Sequence, residues 1–320
     1  MLVYGVLDPD ALDPERLEDL AYRNQVVLLL DGLRRNSRLV VDKDVLRQKI
    51  YQSIYEFIRS STKLSQKIGV LVTEAGKQGW LIKVESEAFR RRWKRSKNLL
   101  SAAQELVEDC GADTLLTTKE GRALLREPGK ATEMEEYQFS EFEEERQRFL
   151  RKLPIDGKSD AQLEEVIRRV VKYSRWLKLY DKYIGRKDGE DRFYRGIYYV
   201  LDLWRRNCCV GNEMSGVEIF TCACSSGLGT PSSGRRACEV LLKRLRGEFD
   251  FGIKFRLAEG NARGFHARYL RSESAIVWFD KGFDLFSSDG QIERTSLQFT
   301  GEETMSELQE WENAAKAVDM

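Results

Sequence analysis

Leu2-Val3-Tyr4-Gly5-Val6-Leu7-Asp8 opens the chain as an apolar run closed by a carboxylate, and the figure returns in Leu39-Val40-Val41-Asp42. Short apolar runs bounded by polar residues read as buried strands. Trp80 to Val84 and Thr114-Leu115-Leu116-Thr117 supply two more. Helical patterns lie between them: Pro14 to Tyr22, then Asp44 to Arg59 with Val45, Leu46, Ile50, Ile54 and Phe57 at helical spacing, then Ala88 to Val107. Strands alternating with helices predict an α/β fold with a parallel sheet, because a parallel return needs a crossover long enough to hold a helix. Ligands of such sheets gather at the carboxyl ends of the strands, where Asp8 and Asp42 are expected. The competing account is that Asp8, Asp42 and Asp113 only cap the helices or turns that follow them, a position that Asp favours.

The second half has its own alternation. A strand is predicted over Trp176 to Ile184, an aromatic-rich helix over Phe193 to Trp204, a strand over Val217 to Thr221, a helix over Arg235 to Arg246 and a strand over Phe251 to Leu257. Next comes Gly264-Phe265-His266-Ala267-Arg268-Tyr269-Leu270, which holds the only histidine of the chain, and then Ser274 to Phe279 and the closing Trp278 to Phe286. Residues i and i+2 of a strand share a face, so His266 and Arg268 are predicted to point together, an acid–base group beside a phosphate clamp. The plainer account is a half-buried histidine on a strand.

With 320 residues and 42% apolar content, the chain is long enough for two ordinary cores. The 53 basic and 52 acidic residues nearly cancel, so any attraction to nucleic acid or membrane must be local. No apolar stretch is long enough to span a bilayer, and Met1-Leu2-Val3-Tyr4 lacks the layout of a secretion signal, so a cytoplasmic location is expected. Cys110, Cys208, Cys209, Cys222, Cys224 and Cys238 match no zinc spacing and read as small core side chains.

Two local charge features stand out against that balance. Phe89-Arg90-Arg91-Arg92-Trp93-Lys94-Arg95-Ser96-Lys97 gathers Arg90, Arg91, Arg92, Lys94, Arg95 and Lys97 around Trp93, enough charge for several phosphates and an aromatic face for stacking. DNA or RNA is the partner such a run fits; a solvated helix face with Trp93 in the core is the alternative. Glu133 to Glu145, dense in glutamate with Tyr137, Phe139 and Phe142 interleaved, is expected to be a linker helix able to dock on a basic surface or a protein partner. The domain plan is 1–128, an acidic linker 129–159 with a flexible turn at Leu153-Pro154-Ile155-Asp156-Gly157, a second domain 160–300 and a polar tail 301–320 that runs through Leu308 and Trp311 as a helix or a frayed end.

The motifs of the first domain resemble a PIN-like nuclease domain. Val6-Leu7-Asp8-Pro9-Asp10 carries the resemblance to its first strand, and Cys110-Gly111-Ala112-Asp113-Thr114-Leu115-Leu116-Thr117-Thr118-Lys119-Glu120 to a later one. The resemblance covers about the first 125 residues. It implies that Asp8 and Asp113 converge, with Asp42 or Glu120, to hold Mg²⁺ or Mn²⁺ for phosphodiester hydrolysis. Gln48 and Lys49 stand where a helical glutamate is expected, and Lys119 precedes the last acid. Residues 160 to 290 resemble a phospholipase D-like domain of the kind found at the C-terminus of MIT-domain proteins: Asp181-Lys182-Tyr183, then His266-x-Arg268, then Gly282-Phe283-Asp284. That resemblance implies a phosphate site at His266, Arg268, Asp181 and Asp284. The active enzymes have His-x-Lys and Gly-Ser-x-Asn, and use two histidines, so cleavage here would need a homodimer. Paired domains of these kinds resemble components of prokaryotic defence and mobile-element systems. The alternatives are a non-catalytic module for nucleic acid or phosphoinositide, or a scaffold subunit.

Overall fold

The computed structural model describes residues 3–60, 69–70, 81–148, 150–157, 160–185, 190–210, 215–222, 231–258, 268–300 and 304–317. They form two compact units, Met1–Leu150 and Arg151–Met320.

In the first unit β1 (Val3–Leu7), β2 (Ser37–Asp42), β3 (Leu81–Val84), β4 (Thr114–Thr117) and β5 (Ala131–Glu133) make one sheet in the order β3-β2-β1-β4-β5. All its pairings are parallel. Every residue of β1, β2 and β4 is buried, and the strand centres are continuous apolar runs rather than alternating ones, with Ser37, Arg38, Asp42, Thr114 and Thr117 at the strand ends. Helices α1 (Pro14–Leu17), α2 (Leu20–Arg35), α3 (Val45–Ser60), α4 (Glu87–Ser96), α5 (Leu99–Cys110), α6 (Lys119–Ala123) and α7 (Glu141–Arg148) complete the unit. The helix expected over Pro14 to Tyr22 is broken by Asp19, whose carboxylate accepts the Ala21 and Tyr22 N–H groups at 2.7 and 3.2 Å and so starts α2 afresh. The helix expected over Ala88 to Val107 is likewise two helices. Lys97 turns left-handed at φ 53°, and Asn98 accepts the Ser101 N–H at 2.9 Å to begin α5.

The acidic segment is not a linker. Its residues add β5 to the sheet edge, a 3₁₀ stretch Met134–Phe139 and α7, with Met134, Tyr137 and Phe142 buried. Arg146 donates to Glu143 at 2.6 Å through Nε, and Asn36 at the end of α2 donates to the Arg146 carbonyl at 2.7 Å. Burial pushes the Glu143 carboxyl up, but its bonds to Arg146 and Gln147 hold it below the ordinary range. The glutamates thus belong to a helix clamped onto the core.

The second unit holds an eight-stranded mixed sheet, β13-β9-β8-β7-β10-β11-β12-β6. Its parallel part is β7 (Trp176–Tyr180), β8 (Gly216–Cys222) and β9 (Ile253–Ala258). β10 (Tyr269–Arg271), β11 (Ile276–Phe279), β12 (Thr295–Thr300) and β6 (Leu153–Ile155) continue it antiparallel from β7, and β13 (Ala315–Ala317) pairs antiparallel with β9. Of the turn expected at Leu153 to Gly157, the first three residues are therefore an edge strand, and Gly157 alone takes the left-handed φ of +77°. Helices α8 (Ala161–Val171), α9 (Glu190–Asn207) and α10 (Pro231–Glu248) bury their apolar stripes, and α9 is pinned by the Trp204 indole N–H donating to the Ser174 carbonyl at 2.8 Å.

The polar tail is also structured. α11 (Met305–Ala314) buries Leu308 and Trp311 against Tyr180, Phe220 and Tyr269 on one face of the sheet. Glu312 accepts from the Tyr180 hydroxyl at 2.6 Å, from Lys178 at 2.8 Å and from Arg271 at 2.8 Å.

Candidate functional site

Asp8 and Asp42 follow adjacent strands and stand at the carboxyl end of the first sheet, as the sequence predicts. Both are buried. Asp8 accepts the Thr117 hydroxyl at 2.6 Å and the Asp10 N–H at 3.3 Å, and burial raises its pKa to about 6. Both Asp42 oxygens are in use at the start of α3, accepting Asp44 N–H at 3.0 Å and Leu46 N–H at 2.5 Å. Glu120 lies on the exposed side of α6, its carboxylate 3.0 Å from Arg16. The backbone N–H at Glu120 and the Arg16 charge keep its carboxyl below the ordinary range.

Asp113 is elsewhere. β4 runs parallel to β1 with Gly5 opposite Thr114 and Leu7 opposite Leu116, so a residue preceding β4 belongs to the amino end of the sheet. Its carboxylate accepts the Tyr4 N–H at 2.7 Å. The expected convergence of Asp8 with Asp113 is thus corrected: what meets Asp8 from β4 is Thr117, the last residue of that strand, not the acid before its first. The strand's extent was legible, and counting to its far end would have found Thr117. Among the described residues no group of three or more His, Cys, Asp or Glu side chains is placed to hold a metal ion. Asp8, Asp42, Asp113 and Glu120 do not fit a Mg²⁺ or Mn²⁺ site: one is at the wrong end, one caps a helix with both oxygens, one is paired outward with arginine, and Asp8 is left without a second carboxylate to share an ion.

The basic run forms α4. Ser86 caps it by accepting the Phe89 N–H at 3.1 Å, and Phe89 is fully buried. Arg90 leans back towards Glu85 at 3.5 Å. Arg91, Arg92, Lys94 and Arg95 are exposed, with no ion-pair partner among the described residues. Trp93 is half-buried and the Lys97 ammonium lies 5.4 Å from its ring centroid, so that ring is not the open stacking face the sequence promised.

In the second unit Asp181 follows β7 and Arg268 precedes β10, at the carboxyl end of the parallel strands. Arg268 is therefore outside the strand on which it was expected, and His266 lies outside the described residues. Asp181 is buried and accepts the Tyr183 N–H at 2.9 Å and the Phe283 N–H at 3.1 Å. Burial raises its pKa to about 6 against the pull of those bonds and of Arg268. The Arg268 guanidinium sits 3.8 Å from Asp181 and 5.0 Å from the Tyr183 ring centroid, and donates to the Asp280 carbonyl. Gly282 closes this corner at φ +66°; a Cβ there would lie 2.0 Å from an Asp181 oxygen and 2.5 Å from Arg268 Cδ. Asp284 is half-buried and turned to Arg192 at 3.4 Å; burial raises its pKa. With 23% of its side chain exposed, Arg268 can meet an oxyanion, which must compete with the Asp181 carboxylate for it.

No family profile matches this chain, and no curated protein matches it.

Proposed function

We propose that the chain binds nucleic acid through the phosphate backbone, with α4 of the first unit as the contact surface, and that it acts as a binding module rather than a metal-dependent nuclease. The observation that carries this is the set of cations Arg91, Arg92, Lys94 and Arg95, without an ion-pair partner among the described residues, on one short helix in a chain whose formal charge is only +1. Four other cations of the unit are paired: Arg16 with Glu120, Lys43 with Glu85, Arg122 with Glu133 and Arg146 with Glu143. A local cationic face held in place by a buried Phe89 draws a polyanion and releases its counterions. With the Trp93 ring engaged by Lys97, contact is to phosphates and carries little sequence information. The four carboxylates the nuclease resemblance requires are committed to other bonds, which favours binding over hydrolysis.

The test replaces Arg91, Arg92, Lys94 and Arg95 with Gln and follows fluorescence anisotropy of a labelled 20-base-pair duplex from 50 to 300 mM salt. Four contacts at about 0.9 each make the log–log salt slope shallower by about 3.6. An unchanged slope assigns α4 to solvent and overturns the proposal. A second reading keeps a phosphodiester-cleaving site in the second unit; the meeting of Asp181 with Arg268 at the strand ends supports it, and removal of His266 tests it.

A further inference from the structure

Helix α10 presents a second cationic track. Ala237, Cys238, Leu241, Leu242 and Leu245 face the core, which leaves Arg236, Val240 and Lys243 on the outside at i, i+4 and i+7. Seven residues of helix place the two charges about 10 Å apart along the axis. A shallow groove of about 360 Å³ runs along them, lined by Arg236, Glu239, Val240, Lys243 and Arg246.

The charge in this groove is net positive. Glu239 is neutralised by Arg235 at 3.3 Å. Arg246 donates to the Ile253 carbonyl at 3.0 and 3.3 Å, which fixes the guanidinium without cancelling its charge. Arg236 and Lys243 have no ion-pair partner among the described residues. Arg244, by contrast, is tied to Asp191 at 2.8 Å and lies 3.9 Å from the Tyr194 ring centroid.

The buried face of the same helix packs on the turn that carries Asp181. The turn Asp181 to Gly185 leaves β7 and packs on the first turns of α10: the Ile184 carbonyl accepts the Thr221 hydroxyl at 2.8 Å and faces the Cys238 thiol at 4.0 Å. Gly185 has φ +95°, and a Cβ there would lie 2.7 Å from the Cys238 sulfur, so no larger residue permits the approach.

We infer that the exposed face of α10 is a second backbone-contact surface for nucleic acid, in which Arg236, Lys243 and Arg246 engage successive phosphates. It rests on the reading that the chain binds nucleic acid, and extends it to the second unit. Arg, Lys and Val here are suited to a charged, featureless strand; the groove offers no Asn or Gln to read bases.

The experiment uses the full chain carrying Arg236→Gln with Lys243→Gln, beside the α4 quadruple variant, on the same 20-base-pair duplex. Loss of two contacts makes the salt slope shallower by about 1.8, so wild type loses about tenfold more affinity than the variant between 50 and 200 mM salt. The conservative Arg236→Lys with Lys243→Arg variant retains the wild-type slope, and an unshifted melting curve shows that the fold is intact. If the α4 variant flattens the slope and the α10 variant leaves slope and affinity unchanged, the inference is overturned while the α4 reading stands. If neither variant changes the slope, both fail. Binding to anionic vesicles or an acidic protein that the α10 variant loses, while its duplex affinity and slope stay at the wild-type values, would also overturn it, since the track would then serve another partner.

Discussion

Replacing Asp181 with Asn probes the corner of the second unit through its pH dependence. Burial sets the Asp181 pKa at about 6 against an ordinary 3.8, with two backbone N–H groups and Arg268 opposing the rise. The folded state therefore holds this proton more tightly than the unfolded chain does. Stability linked to the protonated form is complete below the unfolded value and is lost as pH climbs through the folded one. The interval from 3.8 to about 6, at about 1.4 kcal/mol per pH unit, makes that loss about 3 kcal/mol between pH 4 and pH 7. Asn cannot titrate, but its NH₂ faces one of the N–H groups now bonded at 2.9 and 3.1 Å, a cost of about 1–3 kcal/mol that does not depend on pH. Urea unfolding of both proteins from pH 4 to pH 7.5, followed by tryptophan fluorescence, should show the variant gaining about 3 kcal/mol on wild type as pH rises, whatever the offset at pH 4. Taking the difference at each pH cancels the other titrating groups, Asp8 among them. A difference that stays constant, or that moves against the variant with rising pH, would refute the burial argument.

Two other outcomes follow from the same geometry. Arg146→Met strands the Glu143 carboxylate beside a core in which the Arg146 side chain is only 5% exposed, and should cost about 3–5 kcal/mol in urea unfolding. Adding Glu143→Leu should recover most of it, and a single variant that loses under about 1 kcal/mol would mean the pair is solvated. For the second unit, bis-p-nitrophenyl phosphate in EDTA separates cleavage from binding. No turnover by wild type leaves the binding module standing, whereas turnover abolished by His266→Ala establishes a histidine-dependent site, and sedimentation of that active species must then find a dimer, because one chain carries one histidine.

Strands buried on both faces were legible because burial leaves an unbroken apolar run at their centres, with the polar residues confined to the ends. Leu2 to Leu7, Leu39 to Val41 and Thr114 to Thr117 correspond to β1, β2 and β4 within a residue or two. Edge strands carry no such mark. Ala131-Thr132-Glu133 forms β5 with one neighbour only, and Leu153-Pro154-Ile155 forms β6 although it contains a proline, which an edge tolerates because one row of N–H groups has no partner to lose. α11 was left open between a helix and a frayed tail for a related reason. A polar segment needs only Leu308 and Trp311, three residues apart, to anchor on a sheet, and the ion pairs that hold Glu312 join residues 134 and 41 positions apart in the chain. At the candidate sites the strand ends expected at Asp8 and Asp42 are where the structure has them, whereas Asp181 was expected within a strand that in fact stops at Tyr180. Asp113 was misjudged because the motif resemblance was followed against chain order: in a parallel sheet a residue that precedes a strand stands at its amino end.

Net charge near zero says little about surface field, and the fold shows why. Arg175 meets Glu273, Lys178 meets Glu312 and Arg256 meets Glu218, each across strands or elements far apart in sequence, so the cancellation is made by tertiary pairing and is uneven over the surface. On α4 the imbalance was visible in advance, because Arg90 to Lys97 contains no carboxylate, and Glu85 and Glu87 just before it cannot serve six cations. On α10 it was hidden: Arg235, Arg236, Glu239, Lys243, Arg244, Arg246 and Glu248 look like a mixed solvated face. Only the structure sorts them, giving Glu239 to Arg235 and Asp191 to Arg244, and leaving Arg236 and Lys243 on one stripe without a counter-charge. Those residual cations, rather than the total, determine where a polyanion can settle, and their neutralisation should therefore change the salt slope in proportion to their number.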